Sequence, residues 1–226
     1  MSRHPEEEET AARRAIIETA QAMTRLGLSP GRSGNVSRRW GRGMLITPSG
    51  MRYDALTPED IVLMPEDGRA TPGQRTPSSE WRFHRAAYAA RADKHAIVHA
   101  HSPHAVVLSC AHKAIPAFHY MVALAGGADI PCVPYATFGT QELARHVATG
   151  LAHRDACLMA NHGQIALGAA LPEALELAIE VEALAEQYWK LLAIGEAHLL
   201  DAEEMARVLA RFRTYGQRAQ KSKDEN

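Results

Sequence analysis

A chain of 226 residues, 46% of them hydrophobic, has enough apolar surface for one large buried core. Its 25 basic and 26 acidic side chains leave a net charge of −1, and without a basic stripe that balance excludes a nucleic-acid footprint. Glutamates fill positions 6–9, where a secretion signal would run from basic to apolar, and no apolar run approaches membrane-spanning length. A cytoplasmic protein with neither membrane nor nucleic-acid partners is expected. The three cysteines, Cys110, Cys132 and Cys157, are odd in number and widely spaced in apolar surroundings, which predicts reduced core thiols and no disulfide framework.

In chain order, Ile16, Ala20, Met23 and Leu26 recur at helical spacing and Gly27 follows, so residues 6–26 read as an amphipathic helix with an acidic start that suits its dipole. Residues 31–37 are turn-forming, and their glycines let backbone approach a ligand. They lack a P-loop lysine and lie outside a βαβ unit, so a structural turn is the default there. Strands are predicted at 36–39 and 44–47, followed by the turn Thr47-Pro48-Ser49-Gly50, a short capped helix from Thr57 and a strand at 61–64. Hairpins therefore dominate the first third. Ser78-Ser79-Glu80 opens a helix running to about Arg91, with serine as its cap and Glu80 at an exposed helix mouth. A strand at 96–100, a helix from Pro103, an apolar stretch at 115–124 and a turn at Gly126-Gly127 come next. Val133 marks a short strand, 140–151 a helix, and strands at 156–160 and 164–167 flank the turn Asn161-His162-Gly163. Helices at 172–194 and 202–215 close the fold. Without an internal repeat or a linker, residues 1–216 are expected to form one domain of mixed α and β layers, with a charged tail at 217–226.

The run Ala96-Ile97-Val98-His99-Ala100-His101 sets two imidazoles on one face of a strand, their Cα atoms roughly 7 Å apart. That bite suits one metal ion. Zinc would need two further ligands at about 2.0–2.2 Å, and Glu80 and His162 are available. Among twelve histidines some clustering is expected by chance, and His84, His112 and His146 read as surface or hydrogen-bonded residues without a role. An imidazole pair in a buried strand is costly without hydrogen bonds or a metal, so spacing alone leaves those two readings evenly balanced.

Several stretches in fixed order resemble the class II aldolase/adducin family. They are Thr24-Arg25-Leu26-Gly27-Leu28, Ser33-Gly34-Asn35-Val36-Ser37, Leu45-Ile46-Thr47-Pro48-Ser49-Gly50, Pro77-Ser78-Ser79-Glu80-Trp81-Arg82-Phe83-His84, Val98-His99-Ala100-His101 and Asn161-His162-Gly163. The resemblance continues through His119-Tyr120-Met121, Ile130-Pro131-Cys132, Pro134-Tyr135-Ala136-Thr137-Phe138-Gly139-Thr140 and Phe212-Arg213-Thr214-Tyr215-Gly216, and so covers nearly the whole chain. It implies an α/β fold of α+β type, a single αβα domain with a central, mainly antiparallel sheet, assembled as a four-fold tetramer with sites between neighbouring subunits.

By the same resemblance His99, His101 and His162 match zinc histidines, one ion per subunit. Glu80 matches a carboxylate that ligates the metal at rest and carries protons once substrate displaces it. Gly34, Asn35, Ser49, Gly50, Ser78 and Ser79 match phosphate-binding positions. Tyr120 matches the acid or base lent by a neighbouring subunit, and Phe138, Phe212 and Tyr215 match the lining of the aldehyde end. Arg32 departs from the pattern, standing where the family's aldolases have threonine beside the phosphate. The implied activity is reversible cleavage of a ketose 1-phosphate, L-fuculose 1-phosphate or a related deoxy-ketose 1-phosphate, to dihydroxyacetone phosphate and an aldehyde. A pentulose-phosphate 4-epimerase and a methylthioribulose-phosphate dehydratase share the scaffold. An adducin-like interaction module would keep the fold without chemistry, and the presence of all three zinc histidines argues against it.

Overall fold

The structure, a computed structural model, describes residues 5–195 and 197–215, the last three as backbone. The expected tail at 217–226 lies outside the described residues. The first helix, α1, spans Pro5–Arg25, with Glu6, Glu7 and Glu8 in its first turn and Ile16, Ala20 and Met23 on its buried face. A meander follows: β1 (Asn35–Trp40), β2 (Gly43–Ile46) and β3 (Val62–Met64). The short helix predicted from Thr57 is a single 3-10 turn, Pro58–Asp60, closed by a reciprocal capping box between Thr57 and Asp60. Next come α2 (Trp81–Ala90), β4 (Ala96–Ala100) and α3 (Pro103–Cys110). The apolar stretch after α3 forms a bridge between Ile115 and Ile130 and a 3-10 segment, Tyr120–Ala125, ended by Gly126 in the left-handed region. The chain closes with β5 (Cys132–Val133), α4 (Gln141–Leu151), β6 (Ala156–Met159), β7 (Gly163–Gly168), α5 (Leu171–Ile194) and α6 (Ala202–Tyr215).

All seven strands join one sheet in the order β3-β2-β1-β4-β7-β6-β5, antiparallel except where β5 runs parallel to β6. Alternate strand residues feed two cores. Val98, Ala156, Leu158 and Ala166 pack with α1 and α5, while Ile97, Cys157, Ile165 and Leu167 pack with α2 and α4. Helices thus cover both faces, which is why the central strands β4, β6 and β7 are buried along their whole length and lack the polar alternation of a one-sided sheet. The cysteine expectation needs one correction. All three are free, but Cys110 is exposed at the last turn of α3 and Cys132 is half-buried; only Cys157 sits in a core, where burial raises its thiol pKa.

Candidate active site

Antiparallel register gathers the candidate residues at one end of the sheet. The start of β1 lies beside the end of β4, pairing Asn35 with His99, and the start of β7 lies on the other side of β4, pairing Ile165 with His99 and Gln164 with Ala100. His101 follows β4 directly, and His162 sits in the β6–β7 turn, whose preceding Asn161 takes a left-handed backbone with φ of 54°. Gly34 has φ of +82° and a Cβ there would stand 2.6 Å from the His99 carbonyl oxygen, so only glycine lets this loop lie against the end of β4.

Glu80 corrects the sequence reading. It immediately precedes α2 but is only 7% exposed, because its side chain turns inward against Asn35, His99 and His162. Neither Ser78 nor Ser79 caps the helix; the Ser78 hydroxyl accepts a hydrogen bond from the Glu80 backbone N–H instead.

The four ligand-type side chains converge with donor atoms all within 4.8 Å of one another. His162 Nε2 stands 2.9 Å from Glu80 Oε1, His99 Nε2 3.2 Å from Glu80 Oε2, and His101 Nε2 3.0 Å from His99 Nε2. Ring centroids lie 4.8–4.9 Å apart with planes inclined by 70–83°, so the rings surround a common point and do not stack. Hydrogen bonding fixes one tautomer: His99 Nδ1–H donates to the Gln164 carbonyl at 2.7 Å, which leaves a lone pair on Nε2 facing the cluster. Lone pairs and a carboxylate aimed at one buried point repel one another. Burial pushes the Glu80 carboxyl pKa upward, and only positive charge and donors on the side of His99 and His162 outweigh that and hold it below the usual carboxylate range. Glu80 Oε1 makes no hydrogen bond among the described residues. An ionised carboxylate stripped of water without compensation costs many kcal/mol, far more than a domain's net stability, and a divalent cation at the common point removes that conflict. Three imidazole nitrogens and one carboxylate are a donor set suited to zinc.

Behind the cluster lies a residue to which the sequence reading assigned no role. His84, on α2, is wholly buried between Asn35 Oδ1 and the Ser37 hydroxyl, with the latter 2.7 Å from its Nδ1. Burial, assisted by nearby His99 and opposed by Glu80, lowers its pKa to about 3. An unfolded histidine titrates near 6.5, so below that pH the unfolded chain gains a proton that the folded chain refuses, and stability present above pH 6.5 drains away toward pH 3. Between pH 7 and 5, metal-free wild type should lose about 2 kcal/mol more than His84→Gln in urea unfolding; equal losses would contradict a neutral buried imidazole.

In front of the cluster opens a cleft of about 440 Å³, with Glu80, His101 and His162 on one wall. Its other wall is built for an anion. Ser49 N–H donates to the Thr76 carbonyl and Ser78 N–H to the Thr47 carbonyl, which lays the Ser49-Gly50 turn alongside Ser78-Ser79. Gly34 and Asn35 complete this wall, held from behind by the Tyr53 hydroxyl, which donates to the Gly34 carbonyl at 2.6 Å. Turn backbone and the start of a helix favour negative charge. Arg32 lines the same cleft, its Nη1 donating to the Gly50 carbonyl at 3.0 Å. If the remaining donors of its guanidinium take a phosphate, Arg32→Thr raises KM for a phosphorylated substrate roughly tenfold, whereas an unchanged KM would show that the arginine acts elsewhere.

Phe138 lines the cleft with Tyr135 and Asn161, two residues that the sequence reading did not select. Tyr135 stood inside a family-like stretch, the one signal that pointed to it. Tyr120 and Phe212 do not line this cleft. They stack on each other with centroids 6.4 Å apart, Tyr120 lying also against His119 and remaining 50% exposed. The side chain of Tyr215 lies outside the described residues.

Residues 14–189 match the Class II Aldolase and Adducin N-terminal domain. A 5-methylthioribulose-1-phosphate/5-deoxyribulose-1-phosphate aldolase from Rhodospirillum rubrum is 53% identical over 93% of this chain and 95% of its own length. An L-fuculose phosphate aldolase from Escherichia coli K12 is 52% identical over 91% and 95%. A solved L-fuculose 1-phosphate aldolase superposes with a TM-score of 0.87 at 37% identity, covering 90% of this chain and 97% of its own. With the matched domain spanning most of the chain and relatives this similar over nearly their full length, the protein belongs to the class II aldolase/adducin family.

Proposed function

We propose that the protein is a zinc-dependent aldehyde-lyase that cleaves L-fuculose 1-phosphate, or a related deoxy-ketose 1-phosphate such as 5-deoxyribulose 1-phosphate, reversibly to dihydroxyacetone phosphate and an aldehyde. The observation that carries this reading is the convergence of His99, His101, His162 and Glu80 beside a cleft that is also lined by the turn and helix-start residues suited to an anion. The relatives' names, divided between five-carbon and six-carbon sugar phosphates at 53% and 52% identity, support the substrate class without separating its members.

Cleavage of the C3–C4 bond removes a proton from the C4 hydroxyl and leaves the bonding electrons on C3. A divalent ion held by the three histidines would act as a Lewis acid for the negative charge that develops on the phosphate-bearing fragment. Ser49, Gly50, Ser78, Ser79, Asn35 and Arg32 hold the phosphate and so set the position of C3. Glu80, freed from its resting contacts, takes up a proton from solvent and delivers it to C3 to complete dihydroxyacetone phosphate, while the proton lost from the C4 hydroxyl returns to solvent. Tyr120 of a neighbouring subunit exchanges the proton at the C4 oxygen, and Phe138, with Phe212 and Tyr215 of that neighbour, encloses the departing aldehyde.

A shared site accounts for half-exposed Tyr120 stacking on partly buried Phe212 with neither of them lining the cleft of their own chain. It also calls for an assembly of at least two subunits, for which the family resemblance implies a homotetramer with four-fold symmetry. Free Cys110 and Cys132 fit a reducing compartment, the cytoplasm. The test is release of dihydroxyacetone phosphate across a panel of ketose 1-phosphates, read by coupled reduction. A 4-epimer or a dehydrated product in its place would overturn the aldolase reading.

A further inference from the structure

Five buried polar side chains run in line from Glu80 into the layer between the sheet and α2. Asn35 Nδ2 lies 2.8 Å from Glu80 Oε2, and Asn35 Oδ1 meets His84 Nε2. His84 Nδ1 lies 2.7 Å from the Ser37 hydroxyl, which is 2.9 Å from the Tyr88 hydroxyl. Asn35, Ser37, His84 and Tyr88 are all buried, so each polar atom must find its partner within the chain.

Their donor directions follow from one end. The Asn35 NH2 group donates to Glu80 Oε2, which leaves its carbonyl oxygen facing His84. His84 must then donate from Nε2, which makes Nδ1 an acceptor. The Ser37 proton therefore goes to Nδ1, and Ser37 Oγ accepts the Tyr88 proton. Every donor points the same way, from Tyr88 to the carboxylate, and bonds aligned in this manner polarise one another. The ionisation states agree. His84 is neutral at physiological pH, and burial, offset only in part by the Ser37 bond and by Arg39 and Arg38, raises the Tyr88 phenol, so both stay donors.

We propose that His84 is a positioning residue for this reaction: by donating to Asn35 Oδ1 it forbids rotation of the Asn35 amide, and so keeps a donor on Glu80 and an N–H of the same amide available to the substrate anion. The inference rests on the reading of Glu80 as metal ligand and proton carrier. Without the ring, Asn35 is free to turn its carbonyl oxygen onto Glu80 Oε2, where it repels the carboxylate, and onto the anion wall of the cleft, where it repels phosphate. The effect is transmitted through Asn35 alone, since among the described residues no other hydrogen bond of the His84 ring reaches the cluster or the cleft.

Neutron diffraction from the deuterated, zinc-loaded protein reads the chain without any substitution. Deuterium on His84 Nε2 and none on Nδ1, with the Asn35 ND2 group toward Glu80, is the expected result; deuterium on Nδ1 overturns the proposal. A double-mutant cycle on zinc affinity, measured by chelator competition, supplies the second test. His84→Phe in the wild-type background should weaken zinc binding about tenfold, and in an Asn35→Ala background by less than about twofold. Equal losses in both backgrounds would mean that the ring acts by packing, and no loss in wild type would mean that it does nothing; either result overturns the proposal. Neither measurement depends on turnover, so a failure of the aldolase reading would be seen separately as absence of dihydroxyacetone phosphate.

Discussion

Removal of the metal with a chelator, and separately His101→Ala, should each lower aldol cleavage at least about a thousandfold, the equivalent of roughly 4 kcal/mol of lost transition-state stabilisation. The magnitude follows from what the proposed reaction requires, because a carbanion-like fragment would form in the cleft, where among the described residues Arg32 is the one fixed cation in the lining. Zinc added back should restore the chelated wild type and fail to restore the variant at matched concentration. His101 is the informative position. It lies beyond the end of β4, and its ring makes its one hydrogen-bond contact among the described residues with His99, so truncation opens no cavity in either core. Far-UV circular dichroism and the Tm of the variant should therefore match those of chelated wild type. Purified protein that holds no metal and turns over at full rate would sink the metal mechanism. A variant that unfolds would show that His101 is structural.

The second large effect is the recovery of activity from two inactive parents. In the proposed mechanism Glu80→Ala removes the proton carrier and Tyr120→Phe the group that handles the C4 proton, so each variant alone should be nearly inactive. If each site combines Glu80 of one chain with Tyr120 of its neighbour, random reassembly of equal amounts in a cyclic ring rebuilds a site wherever a Tyr120→Phe chain supplies the metal half and a Glu80→Ala chain supplies the tyrosine. Each condition holds for about half of the chains, so about a quarter of wild-type activity returns. Self-contained sites would recover nothing. Subunit exchange, verified by native mass spectrometry with one mass-tagged parent, makes that outcome decisive against the shared-site arrangement. The tyrosine is a sensitive choice because it stacks on His119 and Phe212 and lies half exposed away from its own cleft, so loss of its hydroxyl alone leaves the packing of the monomer unchanged.

Local elements were largely legible in the chain because local chemistry decides them. Gly27 after a helical repeat, Thr140 accepting from the Leu143 N–H at the start of α4, and the turn Asn161-His162-Gly163 between two apolar strands each carry their signal within a few residues. The period of two in the His99-Ala100-His101 run likewise put both imidazoles on one face, as their 3.0 Å approach requires. Glu80 was read as exposed because its position before a helix gives its place along the chain and says nothing of what packs on it. Cys110 was assigned to a core on apolar neighbours alone, but α3 turns that residue to solvent.

By itself, then, the sequence determined the order of helices and strands, the alternation that divides the strands between two cores, and the set of side chains able to take a metal and an anion. Those properties depend on residue type and on periods of two and 3.6 residues, which no distant partner alters. The tertiary structure alone decided that Glu80 is buried against His99 and His162, that Asn35 and the Gln164 carbonyl flank His99, and that His84 stands behind Asn35. It also decided that Tyr120 lies away from the cleft of its own chain. Each of these relations joins residues through the strand order β3-β2-β1-β4-β7-β6-β5, in which β4 has neighbours from opposite ends of the sequence. Periodicity reports the face that a side chain takes on its own element, and only the packing of the sheet determines which elements meet that face.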